Sequence, residues 1–529
     1  MDEMDDKHFA AQIQELQEKL ARSGHLGVEV YGNEIKIEFF TPGEENPFKH
    51  MRFDAAQHHQ VFEQTLVTIG EILAHDHAKL HHFRLATLDF QNNGYPQFWR
   101  GLAANRVLKK VQLFNVTFPN EPDGTRFLGN PALESLDMFS CNFSHGTFDS
   151  LCQGIQSSHI KKLIFIVQSL SPEASWSSLW SALEHGANRL ESLVISFSQD
   201  TPGDIENGFE SFLTNNSAIH YLHLNGFKRG RDDLPFLQAL GRGLAVNTAV
   251  KMLNLGFSSA VGNPAIGKPL IQTVFSEGLD HNMMVNSLTV EVNACLETVN
   301  ALADGLERMM RNRASAATRG GHDQEESLPV LKELVLDCQD YFSQDSTTTD
   351  TFRDQFFDRL SQSDVIRVEK VKVTYPQLEQ LLSSGAYDFV RSTWVTKSLE
   401  LCNYSHVPND NELANLADAM EANNSISELK AGRVQFHKMT DLLSSPNKYR
   451  IRCQCRRNEI QVRMVGKDQN LSLLPLSLAR LLLSGDTPGD DMERREIEAR
   501  LLVDRTIAFE ILKDIPALFA VCGKRKRED

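Results

Sequence analysis

The segment from Gly262 to Lys268 has residue types and a spacing that could hold phosphate. It matches G-x-x-x-x-G-K, a loop in which backbone N–H groups and the lysine bind phosphate oxygens. Pro269 follows where a serine or threonine would contact Mg²⁺, and its ring removes one backbone N–H. We therefore predict a turn-rich loop that leads into a helix, and no bound nucleotide.

Two other groups contain metal-ligand types. His77 and His81 are four residues apart, a spacing that places both rings on one helix face, but the H-E-x-x-H arrangement of a catalytic zinc site is missing. Cys453 and Cys455 form a single C-x-C pair on a predicted strand, which favours packing for both. No nucleophile triad or carboxylate pair can be placed in one site. We expect no enzyme activity, no metal or other cofactor, and no small-molecule substrate.

A basic segment stands out in a chain whose formal net charge is −16. Between Lys448 and Lys467 there are seven lysines or arginines and one glutamate, and alternating apolar residues predict a hairpin. This segment is a candidate patch for an acidic or phosphate-bearing partner. The alternative is a solvated strand whose charges protect a sheet edge. The residues of the candidate patch are Arg450, Arg452, Arg456 and Arg457.

The two ends of the chain bear on localisation. The first residues are acidic where a secretory signal would be basic and then apolar, and no apolar run reaches the roughly 18 residues of a membrane span. We expect a cytoplasmic protein that does not contact a membrane. The acidic net charge argues against nucleic acid as a partner. A candidate nuclear-import tail consists of Lys524, Arg525, Lys526 and Arg527.

The elements that position these residues can be recognised from Leu133 to Phe143. This segment fits the pattern L-x-x-L-x-L-x-x-N/C-x-L, with Leu136, Met138 and Cys141 at the inner places. A short strand sends alternate side chains to one side, and the cysteine turns the chain out of the strand towards a helix. One such unit cannot bury its own apolar face, so several units must stack.

Similar strands recur along the chain at intervals of 23 to 46 residues. The longer intervals exceed the usual period of about 20–29 residues and predict insertions, which we place as mobile loops at 312–326 and 343–350. Helical apolar stripes fill the other intervals, and an asparagine ends several of them, where it could adopt a left-handed turn. The twelve predicted strands have the central apolar pairs Leu88/Phe90, Val111/Leu113, Leu136/Met138, Leu163/Phe165, Leu193/Ile195, Leu222/Leu224, Leu253/Leu255, Leu288/Val290, Leu334/Leu336, Val371/Val373, Leu399/Leu401 and Leu429/Ala431.

Units made of a strand, a turn and a long helix resemble the ribonuclease-inhibitor-like class of leucine-rich-repeat proteins, over roughly 84–435. The resemblance implies an α/β solenoid, a horseshoe with parallel strands on the concave face and helices on the convex face. It implies no functional residue. We expect residues 1–83 to form an N-terminal cap of a helix, a hairpin and a second helix, the last from about Asp54 to His77. Residues 436–529 are expected to form a C-terminal cap of the basic hairpin and helices, followed by the tail.

If the apolar pairs point into the core, the residues beside them face the concave surface. Contiguous apolar side chains on a surface usually mark a partner site, although a neighbouring loop could cover them. We therefore predict a non-enzymatic interaction scaffold that binds a protein; the alternative, by fold analogy alone, is a regulator of a nucleotide-dependent enzyme such as a small GTPase. Later units place charges there, among them Glu333, Lys370 and Glu400. The predicted contact residues are Phe114, Phe139, Ile164, Ile166, Val194, Tyr221, His223 and Met252.

Overall fold

The chain forms two compact units, Met1–Val285 and Asn286–Asp529, which we call unit 1 and unit 2. Every helix in the described part of either unit is too short or too polar to span a lipid bilayer. The computed structural model describes residues 11, 14, 18, 25–31, 34–40, 48–54, 67, 70–71, 74, 80–89, 96–118, 127–128, 130, 132–170, 174–186, 189–197, 205–227, 233–257, 264–292, 296–319, 329–338, 355–374, 384–402, 408–432, 434–436 and 446–465.

Unit 1 contains an open, mostly parallel sheet. Strands β1, β2 and β3 are antiparallel neighbours, β1 lies parallel to β4, and each strand from β4 to β10 lies parallel to the next one in the chain. The strands are β1 His25–Tyr31, β2 Glu34–Phe40, β3 Phe48–Asp54, β4 Leu80–Asp89, β5 Lys110–Thr117, β6 Ser135–Phe143, β7 Lys162–Leu170, β8 Ser192–Ser196, β9 Tyr221–Asn225 and β10 Met252–Gly256.

Helices alternate with the strands of unit 1 from β4 onwards. In α2, Phe148, Leu151 and Ile155 are buried on one face, while the Ser144 side chain accepts a hydrogen bond from the Thr147 N–H at the start of the helix. The helices are α1 Pro96–Ala104, α2 His145–Ser157, α3 Trp176–Gly186, α4 Phe209–Asn215, α5 Leu234–Val246 and α6 Pro264–Val274, which a π-helical turn extends over Phe275–Leu279.

Unit 2 repeats this alternation. Strands β11 to β15 are parallel in chain order, β16 returns antiparallel to β15, and residues 355–362 are also helical. The strands are β11 Ser287–Val292, β12 Leu331–Cys338, β13 Val368–Thr374, β14 Ser398–Cys402, β15 Glu428–Ala431 and β16 Val434–Gln435. The helices are α7 Leu296–Arg319, α8 Ser384–Ser392, α9 Asp410–Glu421 and α10 Pro446–Val465.

The strand register confirms eleven of the twelve predicted apolar pairs. In unit 1 the pairs from Val111/Leu113 to Leu253/Leu255 are direct register partners across β5 to β10, and in unit 2 those from Leu288/Val290 to Leu429/Ala431 are partners across β11 to β15. Each of these side chains is at most 2% exposed. The sheet core of each unit therefore consists of two continuous apolar columns.

The first predicted pair was misplaced. Phe83 and Leu85, rather than Leu88 and Phe90, are the register partners of Val111 and Leu113. Leu88 pairs with Val116 further along β5, and Phe90 lies outside the described residues. The strand was predicted correctly, but its central pair lies five residues earlier.

Asparagines at the helix ends connect successive strand–helix repeats through hydrogen bonds. The Asn247 Nδ2 donates to the carbonyl oxygens of Leu213 and Asn216 at 2.6 and 2.8 Å, and Asn282 Nδ2 donates to those of Leu244 and Asn247 at 2.6 and 3.1 Å. The predicted left-handed turn was wrong for Asn216 and Asn247, whose φ angles are −82° and −70°. An asparagine is suited to the end of these helices because its side-chain amide hydrogen-bonds to the turn of the preceding repeat.

The N-terminal prediction is confirmed in part. β1 and β2 form the predicted hairpin, and residues 67, 70–71 and 74 are helical within the second predicted helix. β3, however, was not predicted, and it includes Asp54, which the sequence had placed in that helix. The predicted boundaries of the terminal caps remain predictions.

The predicted loop at 312–326 was wrong in its first half, because α7 continues to Arg319. Residues 320–326, the second predicted loop at 343–350 and the tail at 524–527 lie outside the described residues. The helix predicted at the end of the phosphate-loop-like segment is present as α6, but it begins at Pro264, so the predicted turn-rich loop was wrong for residues 264–268.

The prediction of a C-terminal basic hairpin was wrong, because these residues form the helix α10. Ile451, Gln454, Cys455 and Asn458 are all buried, and positions i, i+3, i+4 and i+7 form one face of a helix. Asn458 Nδ2 donates to the carbonyl oxygen of Ile426 at 2.8 Å. The helical face is stabilised by amide contacts as well as by apolar ones.

Candidate functional site

An open strand face of unit 1 holds the predicted contact residues. Apart from the buried Asp137 and Gly256, the side chains that alternate with the buried columns on β5 to β10 are partly exposed, so no described neighbour covers them completely. The register places them in three rows along the face. They are Phe114, Phe139 and Ile166 in one row, Ile164, Val194 and His223 in the row between the buried columns, and Tyr221 and Met252 in the third.

Five of these residues form a continuous surface that we call the apolar stripe: Phe114, Phe139, Ile164, Ile166 and Val194. The rings of Phe114 and Phe139 lie 4.6 Å apart between centroids with an angle of 3° between their planes. Stacked rings on neighbouring parallel strands form a compact apolar surface with their edges towards the open side of the sheet. Ile166 extends this row on the next strand, as the register partner of Phe139.

The guanidinium of Arg84 covers one side of the apolar stripe. Its Cζ lies 4.8 Å from the centroid of the Phe114 ring, within the range of a cation–π contact. The aromatic row therefore begins with a cation on β4 and continues over β5 and β6. Sequence reasoning missed Arg84 because its strand was read five residues too late.

A buried carboxylate lies beside the apolar stripe. Asp137 is 2% exposed and accepts hydrogen bonds from Gln112 Nε2 at 2.8 Å and Ser135 Oγ at 3.3 Å. The Lys110 Nζ lies 3.7 Å from the same carboxylate, and a ring nitrogen of His82 lies 2.9 Å from Gln112 Oε1. This network provides hydrogen-bond partners for the buried Asp137 carboxylate and fixes the polar side chains beside the apolar stripe. The sequence showed no sign of it, because it depends on strand register.

His223 and Met252 extend the face towards β10. Burial lowers the pKa of His223 from its ordinary value of 6.5, so the ring is neutral at neutral pH. Met252 is 41% exposed at the start of β10. This end of the face is uncharged, and it combines an imidazole, a phenol ring at Tyr221 and a flexible thioether.

The corresponding strand face of unit 2 carries charges that neutralise one another. Lys370 Nζ lies 3.0 Å from a Glu333 carboxylate oxygen and 3.9 Å from one of Glu400. The sequence had placed these charges on the face but did not predict that they pair. Burial raises the pKa of the carboxyl groups of Asp337 and Glu291, which face each other on β12 and β11. The unit 2 face is thus polar where it is described, whereas the unit 1 face carries the apolar stripe beside the Asp137 network.

One member of the predicted basic patch, Arg450, is paired with acidic residues of the chain itself, and the patch otherwise remains a prediction. Arg450 lies 2.8 Å from a carboxylate oxygen of Asp418 and 2.6 Å from one of Glu421, both on α9, and these bonds raise the pKa of Arg450. Arg452 and Arg457 are half-buried on α10 and make contacts with their surroundings. The side chain of Arg456 lies outside the described residues. Acidic groups of the chain itself therefore neutralise Arg450.

The described residues contain no group of three or more His, Cys, Asp or Glu side chains placed to hold a metal ion. Cys453 and Cys455 lie on a helix, where residues two positions apart do not share a face, and burial raises the pKa of Cys455 to about 12. His77 and the side chain of His81 lie outside the described residues.

One exposed aromatic residue was also missed by sequence reasoning. Trp394, in the turn between α8 and β14, is 68% exposed, and the Cζ of Arg367 lies 4.3 Å from its ring centroid. The sequence feature that could have identified it is a tryptophan in a predicted turn between a helix and a strand. The other three tryptophans of the chain are at most 1% exposed, all in unit 1: Trp99, Trp176 and Trp180.

No protein-family model matches the chain, and no curated protein matches it significantly. Function must therefore be inferred from the chemistry of the open strand face.

Proposed function

We propose that this chain is a leucine-rich-repeat protein of the ribonuclease-inhibitor-like class, and that it binds a protein partner on the open strand face of unit 1 without catalysing a reaction. The repeat assignment is supported by the in-register apolar columns, the alternation of parallel strands with helices, and the asparagine links between successive turns.

The observation that carries the binding proposal is the apolar stripe. Phe114 and Phe139 are stacked and only partly buried, and aliphatic residues continue the surface across β7 and β8. Aromatic side chains that stay partly exposed on a rigid sheet lose little conformational entropy when they bind, so they serve well as anchors. The strand face of unit 2 has no such surface among its described residues: Glu291, Asp337 and Thr374 stand in the row that corresponds to Phe114, Phe139 and Ile166.

The test is to replace Phe139 with arginine and measure capture of protein partners from a lysate. The new charge would be desolvated against any partner that covers the stripe, and the loss of an aromatic anchor costs about 2 kcal/mol or more, equivalent to roughly thirtyfold in affinity. We expect the partner to be lost while the thermal unfolding transition remains cooperative.

Gln153→Arg is the matched control, because Gln153 is exposed on α2 in the same repeat but on the helix side. It should retain the partner. Equal capture by the parent and the Phe139→Arg variant would refute the proposed site. If Phe139→Arg does not fold, Phe139→Ala removes the ring without adding charge and answers the same question.

A further inference from the structure

The residue close to the end of the repeat helices changes type within unit 2. In several repeats the side chain at this place accepts a hydrogen bond from the backbone N–H three residues later, and we call it the link residue. The link residues include Asn216, Asn247, Asn282, Ser363, Thr393 and Asn423. Two neighbours in this series, Ser363 and Thr393, are hydroxyl residues where the rest are asparagines.

An asparagine in the link position also bonds to the preceding repeat. Asn423 Nδ2 donates to the carbonyl oxygens of Thr393, the link residue before it, and of Val390, three residues earlier, at 2.8 and 2.7 Å. Asn247 and Asn282 make the same pair of bonds to the repeats that precede them. In these repeats the amide occupies the space between two successive turns.

Thr393 cannot make this pair of bonds, because it has no amide. By the same spacing, the two carbonyl oxygens would be those of Ser363 and Leu360. The Thr393 hydroxyl instead donates to Thr396 Oγ1 at 2.9 Å, within its own turn. No side chain in the described part of the chain donates a hydrogen bond to the carbonyl oxygens of Ser363 or Leu360. Two acceptors therefore stand where the other repeats supply an amide.

A cavity of about 80 Å³ lies at this break in the series of amides. Leu360 and Ser363 line it from the turn that follows the helix at 355–362, and Thr393 and Thr396 line it from the turn that follows α8. A water molecule needs about 10–15 Å³ of such space, so the cavity has room for about five to eight. The missing amide leaves a space that a small molecule can fill.

Arg367 is the only cation among the described residues that line this cavity. Its Cζ lies 4.3 Å from the centroid of the exposed Trp394 ring, and its Nε is buried without a hydrogen-bond partner. Within the described residues its guanidinium makes no ion pair, not even with Asp364, the one carboxylate on the same wall. A buried N–H that lacks an acceptor is costly, so the cavity favours an anionic group beside Arg367.

The wall therefore matches a ligand with both an anion and hydrogen-bond donors. A carboxylate suits a guanidinium, because its two oxygens match two parallel N–H groups. An ammonium group supplies three donors for the carbonyl oxygens, and Asp364 balances its charge. A phosphate group fits less well, since it brings a charge of about −1.5 to −2 towards a single cation and offers the carbonyl oxygens no donor.

We propose that this cavity of unit 2 binds a small zwitterion of the α-amino acid class. The ligand carboxylate accepts hydrogen bonds from the guanidinium of Arg367. Its ammonium group replaces the missing amide and donates to the carbonyl oxygens of Leu360 and Ser363. Amino acids with short side chains, such as glycine, alanine and serine, have about as many non-hydrogen atoms as the cavity has places for water. This site is independent of the partner surface proposed above.

The test is isothermal titration calorimetry of the full-length chain with the individual free amino acids. We expect one or a few of the small ones to bind. For alanine, propionate is the matched compound without the ammonium group, and it should bind at least about tenfold more weakly because the charged donor is lost. Arg367→Gln should weaken amino-acid binding by at least about tenfold for the corresponding reason on the carboxylate side.

Thr393→Asn is the sharpest variant, because it restores the amide and fills the cavity. It should abolish binding while the thermal unfolding temperature stays the same or rises. Thr393→Ser is the matched control, since it keeps a hydroxyl and leaves the cavity open, and it should still bind. The proposal is overturned if no amino acid binds the parent chain, if propionate binds as tightly as alanine, or if binding survives unchanged in Thr393→Asn or Arg367→Gln.

Discussion

The asparagine at the end of α5 allows a quantitative test of how the repeats are held together. Asn247 is 3% exposed. Its amide donates to the carbonyl oxygens of Leu213 and Asn216, and its Oδ1 accepts from the N–H groups of Ala249 and Val250, over distances of 2.6 to 2.9 Å. Replacing Asn247 by alanine leaves four backbone groups without these partners, three of them in buried bonds and that of Ala249 in a partly buried one.

Each buried polar group left unsatisfied costs about 1–3 kcal/mol, and water entering the space left by the amide recovers part of this. We therefore expect Asn247→Ala to lower the free energy of unfolding of unit 1 by about 3–5 kcal/mol, a large part of the stability of an ordinary domain. Urea unfolding followed by tryptophan emission in a Trp394→Phe background measures unit 1, because the three remaining tryptophans are buried there.

Asn215→Ala is the matched control. Asn215 ends α4, is exposed, and donates to Glu184 at 2.7 Å and Ser211 at 3.3 Å on the surface. It should cost less than about 1 kcal/mol. A change below about 1 kcal/mol for Asn247→Ala, or equal losses for the two variants, would refute the view that buried amides link successive turns.

Three further predictions concern backbone conformation, protonation and thiol reactivity. Gly226→Ala should destabilise unit 1 by about 3 kcal/mol, because φ is +92° and the added Cβ would lie 2.2 Å from the Phe197 carbonyl oxygen; an unchanged urea midpoint would contradict this. Since burial lowers the pKa of His223, the unfolded state binds more protons than the folded state below about pH 6.5, so unit 1 should lose stability on acidification. The loss should be smaller in His223→Gln. Equal slopes of unfolding free energy against pH for the two proteins would contradict this. Burial raises the pKa of Cys141 to about 12, so iodoacetamide should modify it more slowly than the half-buried Cys453 in the native protein, as mass spectrometry can show; equal rates would contradict the burial of Cys141.

The parallel strands could be predicted because their signal is local. Pairs such as Leu136 and Met138 alternate with polar or exposed residues, which is the two-residue period of a strand. Between these pairs, apolar residues follow the 3.6-residue period of a helix, so the sequence marks where each strand and helix lies. β4 shows the limit of this signal. Phe83 and Leu85 compete with Leu88 and Phe90 in the sequence, and only pairing with β5 decides which pair aligns with Val111 and Leu113.

Contacts between distant residues could not be predicted. The buried face of α10 includes Gln454 and Asn458, whose amides bond to Asn423 in the preceding turn. Because both residues are polar, the sequence does not show an apolar helical period here. The apolar residues that remain alternate with polar ones, a pattern that predicts a strand. The network around Asp137 likewise depends on strand neighbours that are 25 residues apart in the chain.

The candidate contact residues could be predicted as a set because strand alternation assigns them to one face. Their chemistry could not. The stacking of Phe114 on Phe139 and the position of Arg84 over Phe114 depend on register between strands, and the sequence had placed the central pair of β4 five residues away.

The most direct test of the central claim is site-specific photocrosslinking from the open strand face in living cells. A benzophenone amino acid replaces Phe139 in one variant and Gln153, on the helix side of the same repeat, in another. Irradiation should give a discrete protein adduct from position 139 and none from position 153. Adducts from position 153 alone would place the partner on the helices and contradict binding by the strand face.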